Sequence, residues 1–326
     1  MKKVLGIGNA LVDVMTRLKD DSIIEQLGFA KGSMNLVDTE KSAEIKRITA
    51  QYVSSMASGG SAANTIHGLS TLHIESGFIG ATGEDTIGEI FERNMKSAGV
   101  HTYLSTKDAD TGTAVAMISP DSERTFATHL GAAEKLEARD LDKTVFNTYD
   151  ILYLEGYLIN NMDLIETACI YAKEEGLKIA IDLASFNVVA AFKDSFSHII
   201  ENYTDIIFAN EQEAKEFTGK DAEEAVVHLS ELCEIAVVKT GARGSLIHDG
   251  NKLINIDPMD VVPLDTTGAG DLYASGFLYG LAHDKPLDVC GYLGTLLASY
   301  VIQFIGPKID YEKWQVLKKK INEKVG

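Results

Sequence analysis

The segment Asp265-Thr266-Thr267-Gly268-Ala269-Gly270-Asp271 leads directly into an apolar-periodic stretch, Leu272 to Leu281. Two glycines and an alanine let a backbone approach a ligand closely, and the free N–H groups of a first helical turn make an anion site that the helix dipole reinforces. A phosphate fits such a place. An aspartate beside it can take the proton of an alcohol attacking a γ-phosphate, while the N–H groups stabilise charge on the group being transferred. Taken alone, the segment reads equally well as a glycine-rich loop with Asp271 as an ordinary N-terminal helix charge.

Three further segments bear on that choice. Ser58-Gly59-Gly60-Ser61-Ala62-Ala63-Asn64 is a second glycine pair running into a helical pattern, with Asn64 one turn inside; by itself it also reads as a close-packed turn. Asn210-Glu211-Gln212-Glu213 follows an apolar run, and its spacing makes Asn210 a helix N-cap with Glu213 as its capping-box partner. Lys239-Thr240-Gly241-Ala242-Arg243-Gly244 has the composition of a tight turn after a strand.

Other chemistries lack their parts. Gly6-x-Gly8 after a first strand suggests a dinucleotide fingerprint, but Leu11 stands where the third glycine is required. Neither a G-x-x-x-x-G-K-S/T segment nor an H-R-D or D-F-G set occurs, so phosphate must be held without a P-loop or a protein-kinase scaffold. The histidines show no metal-ligand spacing; His67, His73 and His283 lie in or beside helical patterns as structural or exposed residues, and no zinc is implied. Phe277 and Tyr279 have core spacing. Cys169, Cys233 and Cys290 are odd in number and widely spaced, which reads as reduced, buried cysteine.

The elements that must position these residues alternate. Val4 to Ile7, Ile151 to Leu154, Lys178 to Ile181, Ile206 to Ala209 and Ile235 to Val238 read as buried strands. Between and after them lie helical patterns at Ala62 to Leu72, Thr86 to Ala98, Met162 to Glu175, Ala222 to Leu232, Ala269 to His283 and Pro286 to Phe304. That order implies an α/β fold, a doubly wound and mostly parallel sheet flanked by helices. Gly244 to His248 and Lys252 to Ile256 suggest a hairpin turning at Asp249-Gly250-Asn251. Met15 to Asp38 and Thr111 to Leu130 break the alternation; Ala114 to Ser119 and Arg124 to Thr128 look like a hairpin around Pro120-Asp121-Ser122. Residues 1–326 are read as a single domain, with segments of approximately 15–38 and 111–130 inserted as a small β lid over the crevice at the strand ends.

In combination, order and separation, these motifs resemble the ribokinase-like PfkB family of carbohydrate kinases, from Gly6-Ile7-Gly8-Asn9 through Lys239 to Gly244 and on to the helix ending near Phe304. The resemblance implies an ATP-dependent sugar or nucleoside kinase with Asp271 as catalytic base and Gly268, Ala269 and Gly270 as the anion hole. It implies that Asn9, Asp13, Gly59, Gly60 and Asn64 bind substrate hydroxyls, an aspartate being apt because it accepts from two neighbours at once. Asn210 and Glu213 match the family's N-x-x-E pattern, acting through magnesium and phosphate, with Glu213 reaching Mg2+ through water. Lys239, Thr240, Gly241 and Gly244 match its nucleotide-binding turn. Asp265 and Thr267 fall where some relatives bind a monovalent cation, and K+ stays open. Gly6 to Val14, Lys31 to Asp38 and Ser122-Glu123-Arg124-Thr125 resemble the adenosine-kinase branch, which implies Arg124 folding toward substrate or phosphates and a nucleoside, adenosine first, as acceptor. A free sugar such as ribose or fructose, or a catalytically silent sugar- or nucleoside-binding protein, remain the alternatives.

Composition agrees. The chain carries 48 acidic against 30 basic residues, a formal charge of −18, and such a field repels nucleic acid and anionic membrane surfaces. No stretch approaches the roughly 20 apolar residues that span a bilayer, and Asn9 and Asp13 interrupt the start of the chain as a secretory signal, so a cytoplasmic location is expected. Lid strands with free edges can pair between subunits as a homodimer or cover one site alone.

Overall fold

Val4–Ile7 contains no polar residue and is buried throughout, as a central parallel strand covered on both faces must be. It is β1 of fourteen strands in the computed structural model, which describes residues 1–121 and 123–325. Ser122, in the expected Pro120-Asp121-Ser122 turn, lies outside the described residues. The other strands follow in chain order: β2 (Leu11–Arg17), β3 (Met34–Leu36), β4 (Val53–Gly59), β5 (Ser76–Gly83), β6 (His101–Lys107), β7 (Thr111–Ile118), β8 (Arg124–Gly131), β9 (Ile151–Glu155), β10 (Lys178–Asp182), β11 (Ile206–Asn210), β12 (Ile235–Lys239), β13 (Ser245–His248) and β14 (Leu253–Ile256).

Nine of them form one sheet in the order β14-β13-β12-β11-β10-β9-β1-β5-β6. It is parallel from β12 to β6 and antiparallel at the β12-β13-β14 end. Alternation along each strand sends side chains to opposite faces. Tyr153, Phe208 and Val237 join one apolar layer with the helices Ser61–Thr71, Ala269–Ala282 and Leu287–Val301, while Leu152, Leu154, Ile181 and Ile207 join a second with Met162–Glu174 and Lys193–Tyr203. The helix Ala269–Ala282 is buried at nearly every position from Leu272 to Ala282, so it is held from all sides, not by one stripe.

In-phase registry brings the strand ends level. Ile7 is opposite Leu154, Asp182 opposite Glu155, and Asn210 opposite Lys239. The carboxyl ends of β1, β9, β10, β11 and β12 therefore present Asn9, Glu155, Asp182, Asn210 and Lys239 along one rim, where open α/β sheets bind ligands.

A second sheet of five strands runs β3-β8-β7-β2-β4. The sequence places the segments 15–38 and 111–130 in such a sheet but names strands only for the β7/β8 hairpin, which is present and antiparallel. It also contains β2, which starts at Leu11 and carries Asp13, and β4, whose Ser54, Ser55, Ala57, Ser58 and Gly59 have no strong strand preference. Backbone pairing, with Asp13 opposite both Ala57 and Ala114, outweighs that composition. The glycine- and serine-containing β5 is hidden for the same reason and is buried at every residue. Cys169 and Cys290 are buried, but Cys233 is only half-buried; all three are free thiols. No described helix is long and apolar enough to cross a membrane.

Candidate active site

Gly268 caps the helix Ala269–Ala282 at φ 76°, a left-handed conformation that glycine adopts at no steric cost. A Cβ there would also meet Pro307 at 2.7 Å. The Ala269 N–H closes a turn onto the Thr266 carbonyl at 3.1 Å, so of the expected anion hole of Gly268, Ala269 and Gly270 the Ala269 donor is already engaged, and Asp271 stands in the first turn. The neighbouring helix Ser61–Thr71 locks it in place. Ser61 Oγ donates to Asp271 Oδ1 at 2.7 Å, and Asn64 Nδ2 donates to Oδ2 at 2.9 Å. Below them, Ser275 Oγ donates to the Thr65 and Asp271 carbonyls at 2.7 and 3.1 Å. The two glycine-led segments, some 200 residues apart in the chain, meet on one carboxylate.

That carboxylate is poised to accept a proton. Burial pushes its pKa up to about 6, against the Asn64 and Ser61 hydrogen bonds that pull it down. Among the described residues Asn64 Oδ1 is buried without a partner, so it can accept from a hydroxyl brought beside Asp271.

Two cations flank the Gly268-Ala269-Gly270 loop. Lys239 ends β12, and its ammonium lies 3.2 Å from where a Cβ on Gly270 would stand. Its Nζ donates to Asp182 Oδ2 at 2.8 Å. Burial works against the charge, but Asp182, Glu213 and Asp271 more than offset it and hold the lysine above its ordinary range. Arg124, the first residue of β8, crosses from the second sheet to ion-pair with Asp265, and its Nη1 also donates to Thr267 Oγ1 at 3.3 Å. Both charged side chains are nearly buried, 7% and 8% exposed, so this pair is desolvated and costly to break. The Asp265 oxygens also accept from the Thr267 N–H, the Thr267 hydroxyl and the Gly306 N–H. With its lone pairs so used, a monovalent cation on this carboxylate would have to displace Arg124.

Asn210 and Glu213 form the capping box that their spacing implies: Asn210 Oδ1 accepts from the Gln212 and Glu213 N–H groups, while Glu213 accepts from the Asn210 N–H at 2.7 Å and from Nδ2 at 2.6 Å. Burial and the Asp182 charge push Glu213 up to about 7. Each of its oxygens keeps a second lone pair for a water or a cation. Thr240 is buried in the turn, its N–H donating to the Gly244 carbonyl at 2.9 Å, and Gly241 lies in the same turn.

At the carboxyl ends of β1 and β9, Asn9 Nδ2 donates to Glu155 Oε1 at 2.6 Å, and the Ala62 N–H donates to Glu155 Oε2 at 2.9 Å. Glu155 thereby ties β1 to the start of the helix Ser61–Thr71, and burial pushes it up to about 7. Asp13 lies against Gly59, where a Cβ would strike its carboxylate. Glu155, Asp182 and Lys308 are additions to the residues named by motif. The first two end buried strands, β9 and β10, and an acid in that position is the signal that points to them. A surface hollow of about 660 Å³ near Lys107, Lys135 and Arg139 is not part of this cluster. Its cations are already engaged by Asp140, the Asp108 carbonyl and Glu137.

With this geometry in view, comparison with known proteins is informative. The sequence profile described as pfkB family carbohydrate kinase matches residues 32–314. A probable sugar kinase of Rhizobium etli shares 32% identity, covers 98% of each chain and superposes with a TM-score of 0.89. An adenosine kinase of Sinorhizobium meliloti shares 32% identity at a TM-score of 0.88, covering 98% of this chain and 99% of its own. An uncharacterized sugar kinase of Archaeoglobus fulgidus is 28% identical over 248 residues, 74% of this chain and 96% of its own.

Proposed function

Since this chain belongs to the pfkB family of carbohydrate kinases and has the family's ribokinase-like fold, we propose that it transfers the γ-phosphate of ATP to a primary hydroxyl of a nucleoside, adenosine first. The observation that carries this reading is Asp271, a carboxylate raised to about 6 at the mouth of a glycine-lined helix N-terminus and oriented by two side-chain donors. In it, Asp271 takes the proton of the attacking hydroxyl as the N–H groups of Gly268 and Gly270, joined by that of Ala269 on release from the Thr266 carbonyl, accommodate charge on the transferring group. Lys239 and Arg124 supply positive charge from opposite sides. Asn9, Asp13, Gly60 and Asn64 hold the acceptor, and the second sheet, with the segments 15–38 and 111–130, acts as a lid that excludes water.

Magnesium, when bound, screens the donor phosphates, and Glu213 and Asp182 are the side chains suited to hold it through water. Adenosine stands ahead of a free sugar because Gly6 to Val14, Lys31 to Asp38 and the segment around Arg124 resemble the adenosine-kinase branch, and an adenosine kinase is among the proteins that match along 98% of the chain. A sugar acceptor is the second reading, supported by the probable sugar kinase at equal identity. ADP release from ATP across adenosine, other nucleosides, ribose, fructose and sugar phosphates separates the two, and release with none of these acceptors contradicts both.

Two expectations follow from the electrostatics. The base must be unprotonated and Asp13 must be a hydrogen-bond acceptor, and their pKa values are raised to about 6 and about 7. Hence kcat/KM for the acceptor falls as pH drops through that window and is restored above it. Asn64→Ala removes a hydrogen bond that lowers the Asp271 pKa, so the acid limb moves to higher pH; a limb that stays in place in the variant counts against Asp271 as the base.

Lys239→Met removes the ammonium beside Gly270. A charged hydrogen bond is worth about 1.5–3 kcal/mol, so steady-state kinetics at varied ATP should show KM for ATP rising by about 10-fold or more. An unchanged KM takes Lys239 out of the phosphate site.

A further inference from the structure

Lys308 belongs to none of the motifs. It lies beyond the helix Leu287–Val301, in Gly306-Pro307-Lys308, a segment whose three residues each touch a different part of the site. The Gly306 N–H donates to Asp265 at 2.7 Å, Pro307 packs against Gly268, and Lys308 Nζ donates to Ser58 Oγ. Asp13 packs against Gly59, the next residue of β4. Lys308 and Asp13 thus lie against adjacent residues of β4, Ser58 and Gly59.

Both groups are short of partners. Among the described residues the Asp13 carboxylate accepts no hydrogen bond and forms no direct ion pair, and Lys308 uses one of its three N–H donors. Each nevertheless feels the other. Burial raises Asp13 to about 7 while Lys308 opposes the rise, and burial lowers Lys308 to about 8 while Asp13 opposes the fall. Asp271 and Arg124 act on Asp13 through their fields. His67, pulled down to about 3 by burial and by Lys308, is neutral and does not compete for the carboxylate. A buried ammonium and a buried carboxylate that feel each other's charge without touching are matched by adjacent hydroxyls, since a hydroxyl can donate to one and accept from the other at once.

We infer that Lys308 is a specificity-determining residue that, with Asp13, reads a pair of neighbouring hydroxyls on the acceptor and selects against acceptors lacking one of them. The inference rests on the proposed placement of the acceptor against Asp13. A site built to hydrogen-bond a hydroxyl rejects the analogue without it because its own polar groups are left unpaired. A lysine that merely ties the 306–308 segment to β4 would not distinguish such acceptors.

The test compares adenosine, 2′-deoxyadenosine and 3′-deoxyadenosine by kcat/KM and by calorimetric binding, in the wild type, Lys308→Met and Lys308→Arg. The wild type should favour adenosine over at least one deoxy form by about 10-fold or more. Lys308→Met should lose that preference, mainly through KM, with little change for the disfavoured deoxy acceptor, and Lys308→Arg should recover part of it. Equal losses with all three acceptors, or no preference in the wild type, overturn the inference; the wild-type series decides this even if a variant fails to fold. Selective binding without phosphorylation contradicts the kinase reading and leaves the inference standing. Neither binding nor turnover overturns both.

Discussion

Asp271→Asn is expected to lower kcat for phosphoryl transfer by about 10³-fold, near the middle of the range for loss of a positioned general base. The substitution keeps side-chain size, and an amide can still pair with Ser61 and Asn64, the two groups that hold the carboxylate. Its effect should therefore fall on the chemical step: acceptor binding by calorimetry stays within a few-fold, and the melting temperature does not drop. Burial raises the native pKa to about 6, which destabilises the folded protein as pH rises through that value, so the neutral asparagine should slightly stabilise it at pH 8. Turnover within tenfold of the wild type would show that the accepting hydroxyl loses its proton elsewhere.

Gly60→Ala should have the largest structural effect. Gly60 adopts φ 96° and ψ 139° immediately before the helix Ser61–Thr71, a region available almost only to glycine, at a cost of about 1–3 kcal/mol for other residues. An added Cβ would also collide with the Asn9 carbonyl oxygen. The backbone cannot yield there without moving Asn9 and Ala62, both bound to Glu155. We expect the urea midpoint to fall and KM for the acceptor to rise together. Gly176→Ala is the control, because Gly176 has φ 77° with nothing within 4 Å of its would-be Cβ; it should cost about 1 kcal/mol and leave KM alone. Equal effects in the two variants would mean that the Gly60 contact with Asn9 does not hold the acceptor site in shape.

Local patterns make part of this architecture readable from the chain. The buried runs of β1, β9, β10, β11 and β12 are continuous and β-branched, and a glycine-rich loop entering an apolar helix announces Gly268 to Asp271 without tertiary information. Asn210 and Glu213 are legible for the same reason, because their capping box closes over three residues. The second sheet is less so: β4 and β5 are built largely from glycine, alanine and serine, and pairing rather than propensity makes them strands. Glu155 and Asp182 leave a faint trace as acids ending buried strands. Lys308 leaves none, since its meaning depends on Ser58, 250 positions away, and on Asp13, whose charge it feels without contact. Arg124 shows both sides of the matter. Its motif suggests a residue that folds over the site, whereas its ion pair with Asp265 on the anion loop appears only in three dimensions.

The most direct test of the central claim is the identity of the product. Wild-type protein is incubated with ATP, magnesium and adenosine, and the phosphorus-containing products are identified by phosphorus NMR and mass spectrometry. The account predicts AMP, phosphorylated on the primary 5′-hydroxyl, accumulating in step with ADP and only when adenosine is present. ADP and inorganic phosphate without AMP, or no consumption of ATP, would contradict it.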